Sequence, residues 1–396
     1  MSDKPVLAQK FGGTSVSTVE RRGQVIDHVR RAQGEGYQVA IVVSAMGRRG
    51  DPYATDTLLD ILRADGGPVD GRDYDMMFTT GEIISTAFMA HLLKREGVPA
   101  VGLTGAQAGV YTDGHHREAE VVEVDPARMR RHLERGEVPV VTGGQGYHRE
   151  TGDFTSLGRG GSDTSGVAVG VALEAEKVEI FSDVEGVLTA DPRIIPGARI
   201  LERISYEKTM EMARYGAKVV HPRAVRTGQE ASVPLVVRST FSMAAGTVVD
   251  DSEDDLPVVG IATLGPLETY ALDGDALGPE KRVEWENRRG IMSLLDEEGG
   301  ALLLGATAEK AHDLRAAVEE LGGEAGQIVG GQCWVSLIGD GEALQAGRGG
   351  HRDALKSAGI AVGQQEIAGL HSTTAIPADD QGAAVKALYL DVFGEG

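Results

Sequence analysis

A chain of 396 residues, 41% of them hydrophobic, is long enough for two or three packed domains and too apolar for disorder to be the default. A net charge of −21 excludes general binding to nucleic acid or to an anionic membrane surface. Cys333 is the one cysteine, so no internal disulfide forms; with no signal-like start and no apolar run of membrane length, a soluble cytoplasmic protein is expected.

The stretch Val6-Leu7-Ala8-Gln9 reads as a strand running into Lys10-Phe11-Gly12-Gly13-Thr14-Ser15. Paired glycines turn the backbone tightly and bring its N–H groups near an anion, and a lysine at the strand end reaches the same anion. No G-x-x-x-x-G-K-[ST] run is present, so the cradle is not of the Walker type; a plain strand–helix connection would use the same glycines. Ser17 and Glu20 read as a capping box for a helix with Val25, Ile26, Val29 and Ala32 on one face. The apolar run 39–43 reads as a central parallel strand covered on both faces. Ligands of open α/β sheets sit beyond the carboxyl ends of strands, which puts Ser44-Ala45-Met46-Gly47 and the polar segment 48–56 near a substrate.

Thr79-Thr80-Gly81-Glu82 is expected to start a helix over 83–93. Strands are expected at 98–103, 121–124 and 138–142, with a helix over 126–133. Residues 155–165 then lead into an apolar helix over 167–173, with Ser162 or Asp163 as its cap and its free N–H groups facing outward. A strand at 177–181, a helix at 206–214 and a strand at 234–238 close the region. The acidic segment 250–257 reads as a linker. Beyond it, a helix over 308–321, a strand over 333–338, a short helix over 352–357, a strand ending at Ile376 and a helix over 383–393 point to small α+β modules. Gly347-Arg348-Gly349-Gly350 is expected to be a loop, and no internal repeat is evident.

Arg159, set among Gly158, Gly160 and Gly161 with Ser162-Asp163 following, can present its planar fork to a carboxylate or phosphate. Glu82 either favours a helix dipole or offers a counter-charge to a substrate ammonium. Ser182 and Asp183 at a strand end suit ribose hydroxyls or a metal, or simply cap a loop. Lys218 can reach a nucleotide phosphate. His221 before Pro222 reads as structural, and His115-His116 lacks the spacing of a zinc site. Together these residues imply phosphoryl transfer from ATP to a small amino acid, a reaction carried by positioning and charge neutralisation. A carboxylate acceptor is already ionised and needs no general base; a hydroxyl acceptor needs one.

Lys10-Phe11-Gly12-Gly13-Thr14-Ser15, Ser44-Ala45-Met46-Gly47, Leu157-Gly158-Arg159-Gly160-Gly161-Ser162-Asp163, Thr189-Ala190-Asp191-Pro192-Arg193 and Gly216-Ala217-Lys218, in that order, resemble the aspartate kinase family. Residues 48–59 look most like its single-function, diaminopimelate-branch members. The resemblance implies an amino-acid-kinase (carbamate-kinase-like) fold over 1–249, a three-layer αβα sandwich with a largely parallel sheet. After the linker at 250–257 it implies two ferredoxin-like α+β ACT modules, at 258–330 and 331–396, with an entry strand that the two can share. It implies MgATP-dependent phosphorylation of the β-carboxylate of L-aspartate. Lys10 would stabilise the transferring phosphoryl group beside Phe11, Gly12, Gly13 and Ser44, with Asp163 organising the lysine. Arg159 would hold the α-carboxylate and Glu82 the α-ammonium, with Thr55, Gly160, Gly161 and Ser162 orienting the substrate. Ser182, Asp183, Leu188, Thr189, Ala190, Asp191, Pro192, Arg193 and Lys218 would line the nucleotide, with no protein-held metal; Leu188 stands where the family often has an aromatic residue. Dimerisation through the ACT modules and feedback by lysine, threonine or diaminopimelate are implied as well. Two other readings stay open: a kinase for another small acidic amino acid of the glutamate type, and a catalytically idle amino-acid sensor.

Overall fold

A computed structural model of the protein describes residues 4–64, 66–217, 219–252, 254, 256–295 and 300–394. The chain forms two compact units: Met1–Val187 with Glu202–Met210 and Val219–Glu253, and Leu188–Leu201 with Glu211–Lys218 and Asp254–Gly396.

The first unit begins β1 (Val6–Phe11), α1 (Val19–Gly34), β2 (Gln38–Val43), α2 (Thr55–Ala64), α3 (Gly71–Arg95) and β3 (Ala100–Leu103). It continues through β4 (Val110–Thr112), β5 (Val121–Val124), α4 (Ala127–Glu134), β6 (Val138–Thr142), β7 (Gln145–His148), β8 (Phe154–Ser156), α5 (Gly161–Ala172) and β9 (Lys177–Ser182). Then come β10 (Arg203–Ser205), α6 (Tyr206–Arg214), which the division between the units crosses, α7 (Pro222–Glu230), β11 (Leu235–Ser239) and β12 (Thr247–Asp250). Eight strands form one sheet in the order β10-β12-β11-β9-β1-β2-β6-β3. Its pairs are parallel except the antiparallel β11–β12. Side-chain alternation along β2 shows why the sheet lies between helices. Val39, Ile41 and Val43 pack with Val25 and Val29 of α1 and Met89 and Leu93 of α3. Ala40 and Val42 face the other way, toward Met129 and Leu133 of α4 and Val169 of α5. A second, four-stranded sheet runs β5-β4-β7-β8.

Three local expectations are corrected here. Thr18 rather than Ser17 caps α1, accepting from the Arg21 N–H at 3.3 Å, because residues 13–16 wind into a 3-10 turn and the Ser17 hydroxyl turns back to Thr14 O. Glu82 lies in the middle of the 25-residue α3, not at a helix start, so a helix-dipole role does not apply. α5 begins at Gly161 behind Gly160, whose φ of +67° makes it the cap in place of Ser162 or Asp163. α7 and β12 have no counterpart among the predicted elements.

The second unit then runs β13 (Val258–Asp273), α8 (Pro279–Arg289), β14 (Met292–Leu295), β15 (Ala301–Thr307) and α9 (Ala311–Glu320). The remainder is β16 (Val329–Gly339), α10 (Gly341–Ser357), β17 (Gln365–Ala368), β18 (His371–Pro377) and α11 (Gln381–Phe393). All pairs in its sheet, ordered β14-β15-β13-β16-β18-β17, are antiparallel. Each half of the sheet thus follows strand, helix, strand, strand, helix, with β13 and β16 paired at the centre. This internal repeat was invisible as sequence similarity. The Gly347-Arg348-Gly349-Gly350 segment is no loop: it lies inside α10. Glycine costs a helix about 1 kcal/mol per residue, but Leu344 and Leu355, 0% and 1% exposed, anchor α10 in the core on either side of the segment.

Of the acidic segment 250–257, Asp250 closes β12, while Glu253 and Asp255 lie outside the described residues. Among the described residues no helix is long and apolar enough to cross a membrane.

Candidate functional site

The loops leaving the first unit's central parallel strands are tied together at their carboxyl ends. Each strand end hands a backbone hydrogen bond to its neighbour: Thr240 N to Ser182 O at 3.0 Å, Gly12 N to Phe181 O at 3.4 Å, Ser44 N to Phe11 O at 3.1 Å, and Gly143 N to Val43 O at 2.9 Å. Gly13 lets the first two loops meet. A Cβ there would stand 2.6 Å from Ala45 O and 2.9 Å from Gly47 O, and Gly13 O accepts from Gly47 N at 3.0 Å. The Phe11 ring stacks on Phe181 in the core at 4.6 Å, so only its main chain faces the loops.

Lys10 is buried at the end of β1, and its ammonium lies 2.6 Å from Asp163 Oδ1 in the first turn of α5. Its aliphatic stem passes over Gly166, where a Cβ would come within 2.9 Å of Lys10 Cβ. The ammonium also sits beside the Gly12 turn, 3.6 Å from the point a Cβ there would occupy. Asp163 Oδ2 accepts from the His221 N–H at 3.3 Å. His221 caps α7, accepting from the Arg223 N–H, and its ring fills the space a side chain at Gly160 would need. Burial holds the imidazole below its usual range, which fits the structural role read for it. Arg223, which sequence reading passed over, braces the loop over 157–160 by donating to the carbonyls of Leu157 and Arg159.

Glu82 is 4% exposed. Its Oε1 accepts from Thr55 Oγ1 at 3.0 Å, while Oε2 is buried with no hydrogen-bond partner among the described residues. Burial pushes its carboxyl up to about 7, against the opposing pull of the Thr55 hydroxyl and the Ala45 N–H. A buried carboxyl with an unsatisfied oxygen is costly when ionised unless a partner such as a cation reaches it. Gly81 permits the approach, since a Cβ there would stand 2.9 Å from Tyr53 O.

Arg159 is exposed, held between Gly158 at φ +68° and Gly160 at φ +67°. Gly161 and Ser162 open α5 next to it, and Gly144 N donates to Ser165 Oγ at 2.9 Å on the same helix. Ser182 Oγ accepts from Val184 N at 3.3 Å. Asp183 pairs with Arg48 at 2.9 Å, and Arg48 Nε also donates to Thr14 Oγ1 at 3.4 Å, so a second cation stands at the mouth of the loops. No sequence signal separated Arg48 from its polar neighbours.

Residues 188–193 belong to the second unit. Thr189 is fully buried there: its N–H donates to Arg199 O, its carbonyl accepts from Ile261 N, and its hydroxyl accepts from Arg199 N. Ala190 packs in that unit's core, Leu188 bridges to Ile200, and Pro192 joins Asp191 to Arg193 in a turn closed by a 2.6 Å ion pair. The Arg193 guanidinium holds the Asp191 carboxyl below its usual range. Lys218 lies outside the described residues. Among the described residues no three His, Cys, Asp or Glu side chains converge as a metal site.

Residues 5–239 match the model of the Amino acid kinase family. Aspartokinase 1 of Bacillus subtilis is 47% identical over 244 residues, 62% of this chain; the chain spans only 60% of that curated relative's length. Among solved structures, the aspartate kinase from Synechocystis is 31% identical, covering 99% of this chain and 70% of that one, with a TM-score of 0.56. E. coli aspartokinase III, in complex with aspartate and ADP, superposes with a TM-score of 0.79 at 21% identity over 98% of this chain and 100% of that one.

Proposed function

This chain belongs to the amino acid kinase family, and we propose that it transfers the γ-phosphoryl group of ATP to the β-carboxylate of L-aspartate. The observation that carries this reading is Glu82, whose buried, half-satisfied carboxyl calls for a cation such as an α-ammonium. N-acetylated amino acids carry no such group. Arg159 would take the α-carboxylate, with Thr55 and Ser162 orienting the substrate. Lys10, steadied by Asp163, would neutralise charge building on the transferring phosphoryl group. A β-carboxylate oxygen attacks the γ-phosphorus, and the bond from that phosphorus to the β–γ bridging oxygen breaks, leaving 4-phospho-L-aspartate and ADP. The acceptor is already ionised, so the chain needs no general base.

ATP would enter with its own Mg²⁺, an ion commonly held by phosphate oxygens and water. Ser182 and Asp183 would line the nucleotide. We read 1–249 as the catalytic domain and 250–257 as a linker. The regions read as 258–330 and 331–396, which the structure divides at the start of β16 (Val329), would be ACT-type modules that pair two copies of the chain and take lysine, threonine or diaminopimelate as effector. The site of action would be the cytoplasm, where a buried Cys333 thiol pushed up to about 11 stays unreactive.

The test is ADP release with L-aspartate, L-glutamate and N-acetyl-L-glutamate as acceptors, each with and without lysine, threonine and diaminopimelate. Aspartate-dependent release supports the reading. Turnover of glutamate alone, or no turnover together with tight effector binding, replaces it.

A further inference from the structure

Asp75 is fully buried on α3 and plays no part in the chemistry above. Seven residues before Glu82, it shares with Thr79 and Glu82 a buried face of that helix. Its carboxylate receives three donors from other segments of the first unit. His116 Nδ1 donates to Oδ2 at 2.7 Å, the Arg117 N–H lies 3.0 Å from Oδ1, and the Ser156 hydroxyl donates to Oδ1. These partners flank the Arg159 loop. Ser156 ends β8 and leads directly into Leu157-Gly158-Arg159. Arg117 O lies 2.7 Å from the point where a Cβ on Gly158 would stand, so the 116–117 turn presses on that glycine's backbone. One helix therefore carries two buried carboxyl groups: Glu82 keeps an oxygen open, and Asp75 binds both sides of the loop that presents Arg159.

We propose that Asp75 is a positioning residue that sets the separation between Glu82 and Arg159, and with it the length of amino acid the site accepts. This rests on the substrate roles proposed above for those two residues. A carboxylate offers both oxygens as acceptors. An amide of the same shape keeps one oxygen for Ser156 and Arg117 but turns an N–H₂ toward His116, so that contact must reverse its direction or open, and the clamp loosens without leaving a cavity.

Wild type and Asp75→Asn are compared by coupled ADP release, varying L-aspartate, L-glutamate and ATP in turn. A hydrogen bond lost from a charged acceptor and a small displacement of a binding group are together expected to raise KM for aspartate about tenfold, with kcat and KM for ATP within about twofold. Turnover of glutamate relative to aspartate is expected to rise. A KM for aspartate that is unchanged, or that moves only in step with KM for ATP, overturns the proposal, whatever happens to the melting temperature. Should Asp75→Asn not accumulate as folded protein, Ser156→Ala removes one bond of the clamp and is judged by the same criteria. If wild type shows no aspartate-dependent turnover, it is the substrate assignment that fails, and the comparison between variants separates the two failures.

Discussion

Lys10 and Asp163 stand 2.6 Å apart on β1 and α5, each side chain no more than 14% exposed, and the pair joins the strand leading into the Gly12-Gly13 turn to the helix that follows Arg159. A buried pair of this kind is weak evidence for stability, but breaking it from one side leaves an uncompensated charge. Lys10→Ala is therefore expected to lower kcat by about 10²- to 10³-fold and to destabilise the fold by about 3–5 kcal/mol. Asp163→Asn combined with Lys10→Ala is expected to recover most of the stability and none of the turnover. Thermal melts and aspartate-dependent ADP release on the two variants check this. Equal loss of stability in both would show that charge is not what the pair contributes.

Glu82 should make both stability and activity depend on pH, in opposite senses. Its carboxyl sits at about 7 in the folded chain against an ordinary 4.5, so the folded state binds the proton more tightly than the unfolded one. The stability it contributes is complete below 4.5 and is lost as pH rises through 7. Glu82→Gln is accordingly expected to melt higher than wild type at pH 8 and level with it near pH 4. In wild type, kcat/KM for aspartate is expected to rise about tenfold per pH unit below 7 and then level, as ionisation supplies the charge for the ammonium. In Glu82→Gln this limb disappears. A wild-type profile flat across pH 6–8 would contradict the role of the open oxygen.

The parallel core and the glycine turn were legible because each rests on local pattern: the apolar run of β2, the mostly apolar β1 and β6, and paired glycines behind a lysine. Glu82 was placed at a helix start because Thr-Thr-Gly resembles one. Gly81 in fact sits inside α3 for a tertiary reason, the close approach of Tyr53 O. Asp75, Arg223 and Arg48 carried no signal, since each gains meaning only from partners at least 34 residues away. The same holds for the glycines within α10, where buried leucines on either side override poor propensity.

Gly166 tests how closely Lys10 is held. Replacing a helical glycine by alanine normally favours the helix by about 1 kcal/mol, but the added Cβ would lie 2.9 Å from Lys10 Cβ, nearer than such atoms approach. Overpacking of about 1–3 kcal/mol outweighs the propensity gain, and the strain falls on the lysine stem. Gly166→Ala is expected to lower kcat about tenfold while KM for aspartate stays within about twofold. Steady-state kinetics with both substrates varied checks it. A raised KM for aspartate with kcat intact would place the displacement elsewhere.

In the second unit, His371 on β18 joins the half-buried Glu211 and the buried Tyr215. Its Nδ1 contacts Glu211 Oε1 at 2.7 Å and its Nε2 contacts the Tyr215 hydroxyl at 3.0 Å, with the imidazole 6% exposed. Burial alone would raise the Glu211 carboxyl, but the His371 hydrogen bond and Arg214 outweigh it and leave it below the usual range. A depressed carboxyl contributes stability that is complete above 4.5 and is lost as pH falls through its folded value. His371→Ala removes the partner and leaves a cavity beside a buried tyrosine, for an expected cost of about 2–4 kcal/mol near neutrality. Without His371 the Glu211 carboxyl moves back up, so the gap between variant and wild type should narrow as pH drops below 4.5. Denaturant titrations at pH 7 and pH 4 measure both quantities. A gap of constant size would mean that His371 supports the unit through packing alone, with no share in holding the Glu211 charge.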